Sequence, residues 1–117
     1  MHVVRVTDAP QYKAPGHDKM EMRRLQGLEA GPSDTFWIGI STILPGGETT
    51  SSASPMEKIY VVLEGEVLVS NGTDSVLLLA WDSCRIEPGE PRQLRNMSGN
   101  LASVLLVMPK NVRDAEP

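Results

Sequence analysis

Lys58-Ile59-Tyr60-Val61-Val62-Leu63-Glu64-Gly65-Glu66-Val67-Leu68-Val69-Ser70-Asn71-Gly72 is the stretch whose reading decides the fold. Two runs rich in β-branched and aliphatic residues are separated by Glu64-Gly65 and closed by Asn71-Gly72. Such runs suit a pleated, half-buried strand. Asn and Gly both tolerate positive φ, so Asn71-Gly72 is a strong hairpin signal. Ser75-Val76-Leu77-Leu78-Leu79 then reads as the returning strand. Outward from this stretch, Phe36 to Leu44 is a further strand, ended by Pro45-Gly46-Gly47. Later strands are expected over Ser83 to Ile86, Arg92 to Asn96 and Leu101 to Met108. Short strands at regular spacing, without long helical periods, indicate an all-β sandwich or barrel.

The first thirty-five residues read as largely irregular, with turns at Asp8-Ala9-Pro10, Ala14-Pro15-Gly16 and Ala30-Gly31-Pro32. Within them, Met20 to Leu28 is expected to be an edge strand. The expected organisation is a segment 1–35 packing on the barrel, a barrel over 36–110 and a polar C-terminal tail over 111–117. A chain of 117 residues suits one domain with one core, and 40% hydrophobic residues is ordinary for a globular protein. No apolar run approaches the ~20 residues that span a bilayer, and Met1-His2-Val3-Val4-Arg5 lacks a signal-peptide core. A cytoplasmic location without membrane attachment is therefore expected. Cys84 is the only cysteine, which rules out an intrachain disulfide and Cys/Cys zinc motifs. A net charge of −4, with acids and bases mixed along the chain, argues against nucleic acid as a partner.

Two stretches resemble the two motifs of the cupin superfamily. The first motif runs glycine, five residues, His-x-His, three or four residues, Glu, six residues, glycine. Gly46 and Gly65 hold its two glycine positions. The second runs glycine, five residues, Pro-x-Gly, two residues, His, three residues, Asn. Gly89 and Asn96 stand in register with its later half, within Pro88-Gly89-Glu90-Pro91 and Arg95-Asn96. The resemblance covers about Phe36 to Met108. It implies a double-stranded β-helix, a jelly-roll barrel, whose ligand positions point inward.

The departures from those motifs carry the functional reading. The first motif's histidines fall on Ser52 and Ser54, its glutamate on Lys58, and the second motif's histidine on Arg92. Trp81 and Glu87 stand where that motif has its opening glycine and first proline. A divalent metal in this setting wants imidazoles and a carboxylate, so neither a metal nor another cofactor is expected. Sliding Glu57 into the lysine's place would put it on the opposite strand face.

Carried over residue by residue, Ser52, Ser54, Lys58 and Arg92 converge inside the barrel. Alternation adds Tyr60, Val62 and Leu94 to that interior. Arg92 suits a carboxylate or phosphate, because its planar fork binds bidentately. Lys58 and Tyr60 are candidate proton-transfer groups, and burial beside Arg92 is expected to lower the Lys58 pKa. Tyr12 and His17 are candidate lid residues over the barrel mouth. The alternative for the two cations is structural ion pairing: Lys58 with Glu57, Glu64 or Glu87, and Arg92 with Glu87 or Glu90. Trp37 and Trp81 read as packing residues and Cys84 as a small buried hydrophobe.

Three functions follow. One is a metal-independent cupin binding a small anionic, carboxylate-type metabolite. The second is a metal-independent lyase, isomerase or decarboxylase acting on a small carboxylate or enolisable substrate. The third is a degenerate barrel with a structural or assembly role. A homodimer is expected, paired through the edge over Met20 to Leu28.

Overall fold

The computed structural model describes residues 1–110; the expected tail, 111–117, lies outside them. Nine strands form: β1 (Gln11–Tyr12), β2 (His17–Gln26), β3 (Phe36–Thr49), β4 (Lys58–Glu64), β5 (Glu66–Ser70), β6 (Ser75–Leu79), β7 (Ser83–Ile86), β8 (Gln93–Arg95) and β9 (Ala102–Pro109). Two single 3-10 turns, Val6–Asp8 and Leu28–Ala30, are the only helical pieces among the described residues. All pairings are antiparallel, in the order β6-β5-β8-β3-β9-β4-β7, with β2 alongside β3 and β1 alongside β2. The chain is an all-β barrel, one of the two architectures its strand pattern indicates, and the one the resemblance to the cupin motifs implies. Inward-facing Ile43, Tyr60, Val62, Val67, Val69, Leu78, Ile86, Leu94, Ala102 and Val104 make one core.

Strand β3 departs most from expectation. Pro45-Gly46-Gly47 bends it instead of ending it. Its first half, Phe36 to Ile43, pairs with β9, and Glu48, beyond the bend, pairs with β8. Against β2 the register jumps from Met20↔Ile43 to Asp18↔Glu48, so the bend bulges out of the ladder. Such an irregularity tolerates proline and increases local twist. Gly46 sits at φ 80°, and a Cβ on Gly47 would come 2.7 Å from the Lys19 carbonyl oxygen.

Asn96 secures the bend. It is 1% exposed. Its Nδ2 donates to the Ile43 carbonyl at 2.9 Å and the Asn100 carbonyl at 2.8 Å. Its Oδ1 accepts from the Ser98 amide and hydroxyl. Its backbone closes a pair of bonds with Gly46 and Gly47.

Other differences are local. The N-terminal edge strand starts at His17 and stops at Gln26, because Gly27 turns away at φ 80° and Leu28 enters the 3-10 turn. Its free side is partly covered by β1, through Gln11↔Arg23 and Tyr12↔Met22. The hairpin at Asn71-Gly72 uses four residues, 71–74, since Ser70 pairs with Ser75. The Asn71 side chain folds back to accept the Thr73 and Asp74 amides. Trp81 is not a packing residue: it is 76% exposed. Its backbone takes φ 71°, the left-handed region that the motif's glycine would occupy without strain. Cys84 is half-buried on the inner face of β7.

Two substitutions of opposite sign test these placements by urea unfolding. Asn96→Ala strands the buried Ile43 carbonyl and is expected to cost about 2–3 kcal/mol. Trp81→Gly removes an exposed side chain from a strained backbone and is expected to stabilise by up to ~1 kcal/mol.

Candidate functional site

The inner face of the barrel encloses a cavity of about 250 Å³. Its walls are apolar, from Met20 and Met22 of β2, Leu94 of β8, and Leu106 and Met108 of β9. Lys58 and Tyr60 of β4 project into it by strand alternation, and Arg92, just before β8, comes from the opposite sheet. Ser41 of β3 adds a hydroxyl.

The two inner cations are buried, Lys58 at 5% exposure and Arg92 at 7%. Lys58 Nζ donates to Ser54 Oγ at 2.8 Å. Arg92 Nη1 donates to Thr49 Oγ1 at 2.9 Å, and Thr49 Oγ1 also accepts the Leu94 amide. Arg92 Nε is buried with no hydrogen-bond partner. The ion pairs that sequence offers as the structural alternative do not form. Glu57 and Glu87 both pair with Arg85 on the outer surface. Glu90 accepts from Asn71 and from the Glu87 amide. Glu64 is exposed at the end of β4. Among the described residues, no Asp or Glu lines the cavity, whereas Lys13, Arg24, Lys58 and Arg92 all do.

These charges set the protonation states. Burial, and then the positive Arg92, lower the Lys58 pKa. Burial pushes the Tyr60 phenol up to about 12, although Arg92 pulls the other way. At neutral pH Tyr60 is therefore a hydrogen-bond donor rather than a base. Lys58 is the group nearer to giving up its proton.

The mouth is built from the N-terminal strands. Tyr12 and His17 both line the cavity, with His17 Nδ1 donating to the Pro15 carbonyl. Arg24 lies 3.5 Å from the Tyr12 ring centre and 4.2 Å from that of Trp37, and also pairs with Glu29. Tyr12 and Trp37 meet edge to face, 6.1 Å apart. Two bonds hold this N-terminal part in place: Thr50 N–H donates to the Gly16 carbonyl, at the end of the segment between β1 and β2, and Arg24 N–H donates to the Pro10 carbonyl, just before β1.

Of the expected site residues, the structure brings together Lys58, Tyr60, Arg92, Leu94, Tyr12 and His17. Ser52 and Ser54 do not line the cavity. Ser52 is exposed and contributes its backbone, bridging Arg92 with N–H to carbonyl bonds in both directions. Ser54 acts through Lys58, which it orients from behind. Val62 lies below the cavity, fully buried in the core. Sequence reading missed Arg24, Trp37 and Thr49. Alternation along Met20, Met22 and Arg24 is the signal that would have found the first.

A divalent metal does not suit this donor set. The four positions offer an ammonium, a guanidinium and two serines that do not line the cavity, one of them already bonded to the ammonium. Among the described residues, no three His, Cys, Asp or Glu side chains converge anywhere.

The geometry thus defines a small jelly-roll barrel with a cationic, partly apolar pocket. The chain belongs to the cupin family: the cupin-domain family model matches residues 39–108. It is 37% identical over 116 residues to a Mycobacterium tuberculosis protein named β-D-galactosidase, covering 97% of this chain and 98% of that one. Among solved structures it resembles the polyketide cyclase RemF of Streptomyces resistomycificus, with a TM-score of 0.82 and 24% identity over 93% of this chain and 79% of that one. It also resembles an RmlC-like cupin of Shewanella frigidimarina, with a TM-score of 0.78 and 16% identity over 99% and 96% of the two chains. These structural likenesses support the barrel. Among the described residues, no helix is long and apolar enough to cross a membrane.

The depressed Lys58 pKa has a consequence for stability. The unfolded chain holds this proton more tightly than the folded one. Below the folded pKa the penalty of the buried ammonium is present in full. It is relieved as pH rises from there toward ~10.4, where the unfolded lysine also titrates. Urea midpoints of the ligand-free protein are expected to gain on this account up to pH ~10, and Lys58→Met is expected to flatten that slope. Above pH ~10 the raised Tyr60 acts in the opposite sense, its contribution being lost as pH approaches its folded value.

Proposed function

We propose that the barrel binds a compact anion, a small carboxylate, held by Arg92 and Lys58 without a metal. The observation that carries this reading is the unneutralised pair: two buried cations share one cavity, and no described carboxylate balances either. Buried charges are ordinarily paired. A bound carboxylate would relieve their mutual repulsion and give Arg92 Nε an acceptor. The apolar wall would cover the ligand's carbon skeleton, and Tyr60 would donate to one of its oxygens. A cavity of about 250 Å³ suits a metabolite smaller than a drug-sized ligand. An open cavity also favours a ligand over a purely structural barrel, in which Trp37, Tyr60 and Leu94 would close on one another.

The same placement gives the catalytic version of this reading its proton carrier. A lyase or isomerase acting on such an acid would use neutral Lys58 as base, with Tyr60 protonated as donor. A second reading, hydrolysis of a β-galactoside, is favoured by the name of the mycobacterial relative. Most glycoside hydrolases use a pair of carboxyl groups flanking the scissile bond. No Asp or Glu among the described residues lines this cavity, which sets that reading second.

Thermal-shift and calorimetric titration separate these readings. Small carboxylates are expected to raise the melting temperature, and their uncharged amides are not. Arg92→Met and Lys58→Gln are each expected to weaken binding at least about tenfold, as for loss of a charge-assisted hydrogen bond. Equal affinity in wild type and both variants would remove the anion reading. Turnover of an aryl β-galactoside, abolished by Lys58→Gln or Tyr60→Phe, would put the second reading in its place.

A further inference from the structure

The cavity carries positive charge at two levels. Lys58 and Arg92 form the inner one, and Arg24 and the exposed Lys13 stand at the mouth. Strand register relates the two. Arg24 pairs with Gly39 on β3, Gly39 with Leu106 on β9, and Leu106 with Tyr60 on β4. Arg24 and Tyr60 therefore share one row of the inner wall, with two strands between them. Strands lie about 4.8 Å apart, so the two backbones are roughly 14 Å apart along that wall. Gly39 alone in this row has no side chain, and the mouth uses the room. A Cβ there would come 2.9 Å from the Trp37 ring and 3.1 Å from Tyr12 Oη. The glycine thus lets both aromatic side chains enter the barrel beside Arg24.

Those two rings fix the Arg24 guanidinium, which contacts both. Aromatic contact covers the flat faces of a guanidinium and leaves its in-plane N–H groups to make hydrogen bonds. Arg24 Nε donates to Glu29 at 3.0 Å. Among the described residues, its two Nη groups donate to no acceptor, although the side chain is only 15% exposed. Glu29 does not line the cavity and is exposed, and an ion pair open to water contributes little. One carboxylate at Arg92 and Lys58 would leave this second fork unanswered.

We propose that Arg24 is a second carboxylate subsite, so that the ligand is a dicarboxylate whose acid groups are separated by a short carbon chain. The inference rests on the carboxylate reading above and narrows it. One acid group takes the Arg92 fork and the Lys58 ammonium. The other takes the Nη edge of Arg24, with Lys13 adding charge at the rim. The carbon chain between them has Met22 and Leu106 as its apolar wall. Two phenols stand along the same path: Tyr60 lies within electrostatic reach of Arg92 and of Tyr12, and Tyr12 within reach of Arg24. A guanidinium already fixed by two rings loses little freedom when a ligand arrives.

Calorimetric titration of the full chain tests this. Malonate, succinate, glutarate and adipate are each compared with their monoamides, which keep the length and lose one charge. Wild type is expected to bind at least one diacid about tenfold or more tighter than its monoamide. Arg24→Gln is expected to erase that preference and leave the monoamide affinity unchanged, whereas Arg92→Met weakens both. Arg23→Gln, on the opposite face of β2 and paired with Glu21, removes the same charge and is expected to change neither. Should the Arg24→Gln variant unfold, Arg24→Lys serves, since it keeps the charge without the fork, and a reduced preference is expected. A wild type that binds every diacid and its monoamide equally overturns the proposal. So does a folded Arg24 variant that keeps the full preference. In both cases, monoamide binding that depends on Arg92 leaves the carboxylate reading standing. If neither diacids nor monoamides bind, that reading fails and the second subsite with it.

Discussion

Asn96 is the tie on which the architecture depends. A barrel of two sheets needs a strand that belongs to both, and β3 serves by bending at Pro45-Gly46-Gly47. A bend exposes backbone groups that a straight ladder would pair. Asn96 meets that requirement from the far side of the fold, joining Ile43 before the bend to Asn100 after β8. The site follows from the same tie. Thr49, just past the bend, supplies the hydroxyl that holds both Arg92 and the start of β8. The direction of Arg92 into the barrel is thus set by a corner formed in another strand.

Against this economical scaffold the cavity stands out as locally unfavourable. Burying an ammonium near a guanidinium with no acid between them lowers the stability of the ligand-free fold. Natural sequences break their own packing rules mainly where function requires it. Here the nearby acids are engaged elsewhere: Glu57 and Glu87 turn outward to Arg85, and Glu29 holds Arg24. The pocket's positive charge is therefore a product of the whole surface arrangement as well as of two residues.

Much of the fold was legible. The β-branched runs from Phe36 onward, the Glu64-Gly65 turn and the Asn71-Gly72 hairpin all lie where local preference places them. The corner was not, because Pro-Gly-Gly reads locally as a stop, and only the long-range bonds of Asn96 turn it into a bend. The spacing of Lys58 and Arg92 from the motif glycines located the two cations. The same spacing brought Ser54 to the Lys58 ammonium but put neither serine in the cavity lining: position on the chain does not give side-chain direction in a loop. Ser52 lends its backbone to Arg92 and turns its hydroxyl to solvent. Alternation along Met20, Met22 and Arg24 puts Arg24 on the inner face, but its stacking partners, Tyr12 and Trp37, come from two other strands, so its role at the mouth could not be read from β2 alone.

The two tryptophans sit in opposite settings. Trp37 is 8% exposed at the cavity mouth beneath a guanidinium, and Trp81 is 76% exposed on a turn. With no other indole in the chain, the protein carries a built-in pair of optical labels, one shielded and one open to dissolved quenchers. Silencing Trp81 with iodide would leave an emission signal that reports on the barrel entrance alone, without any dye attached.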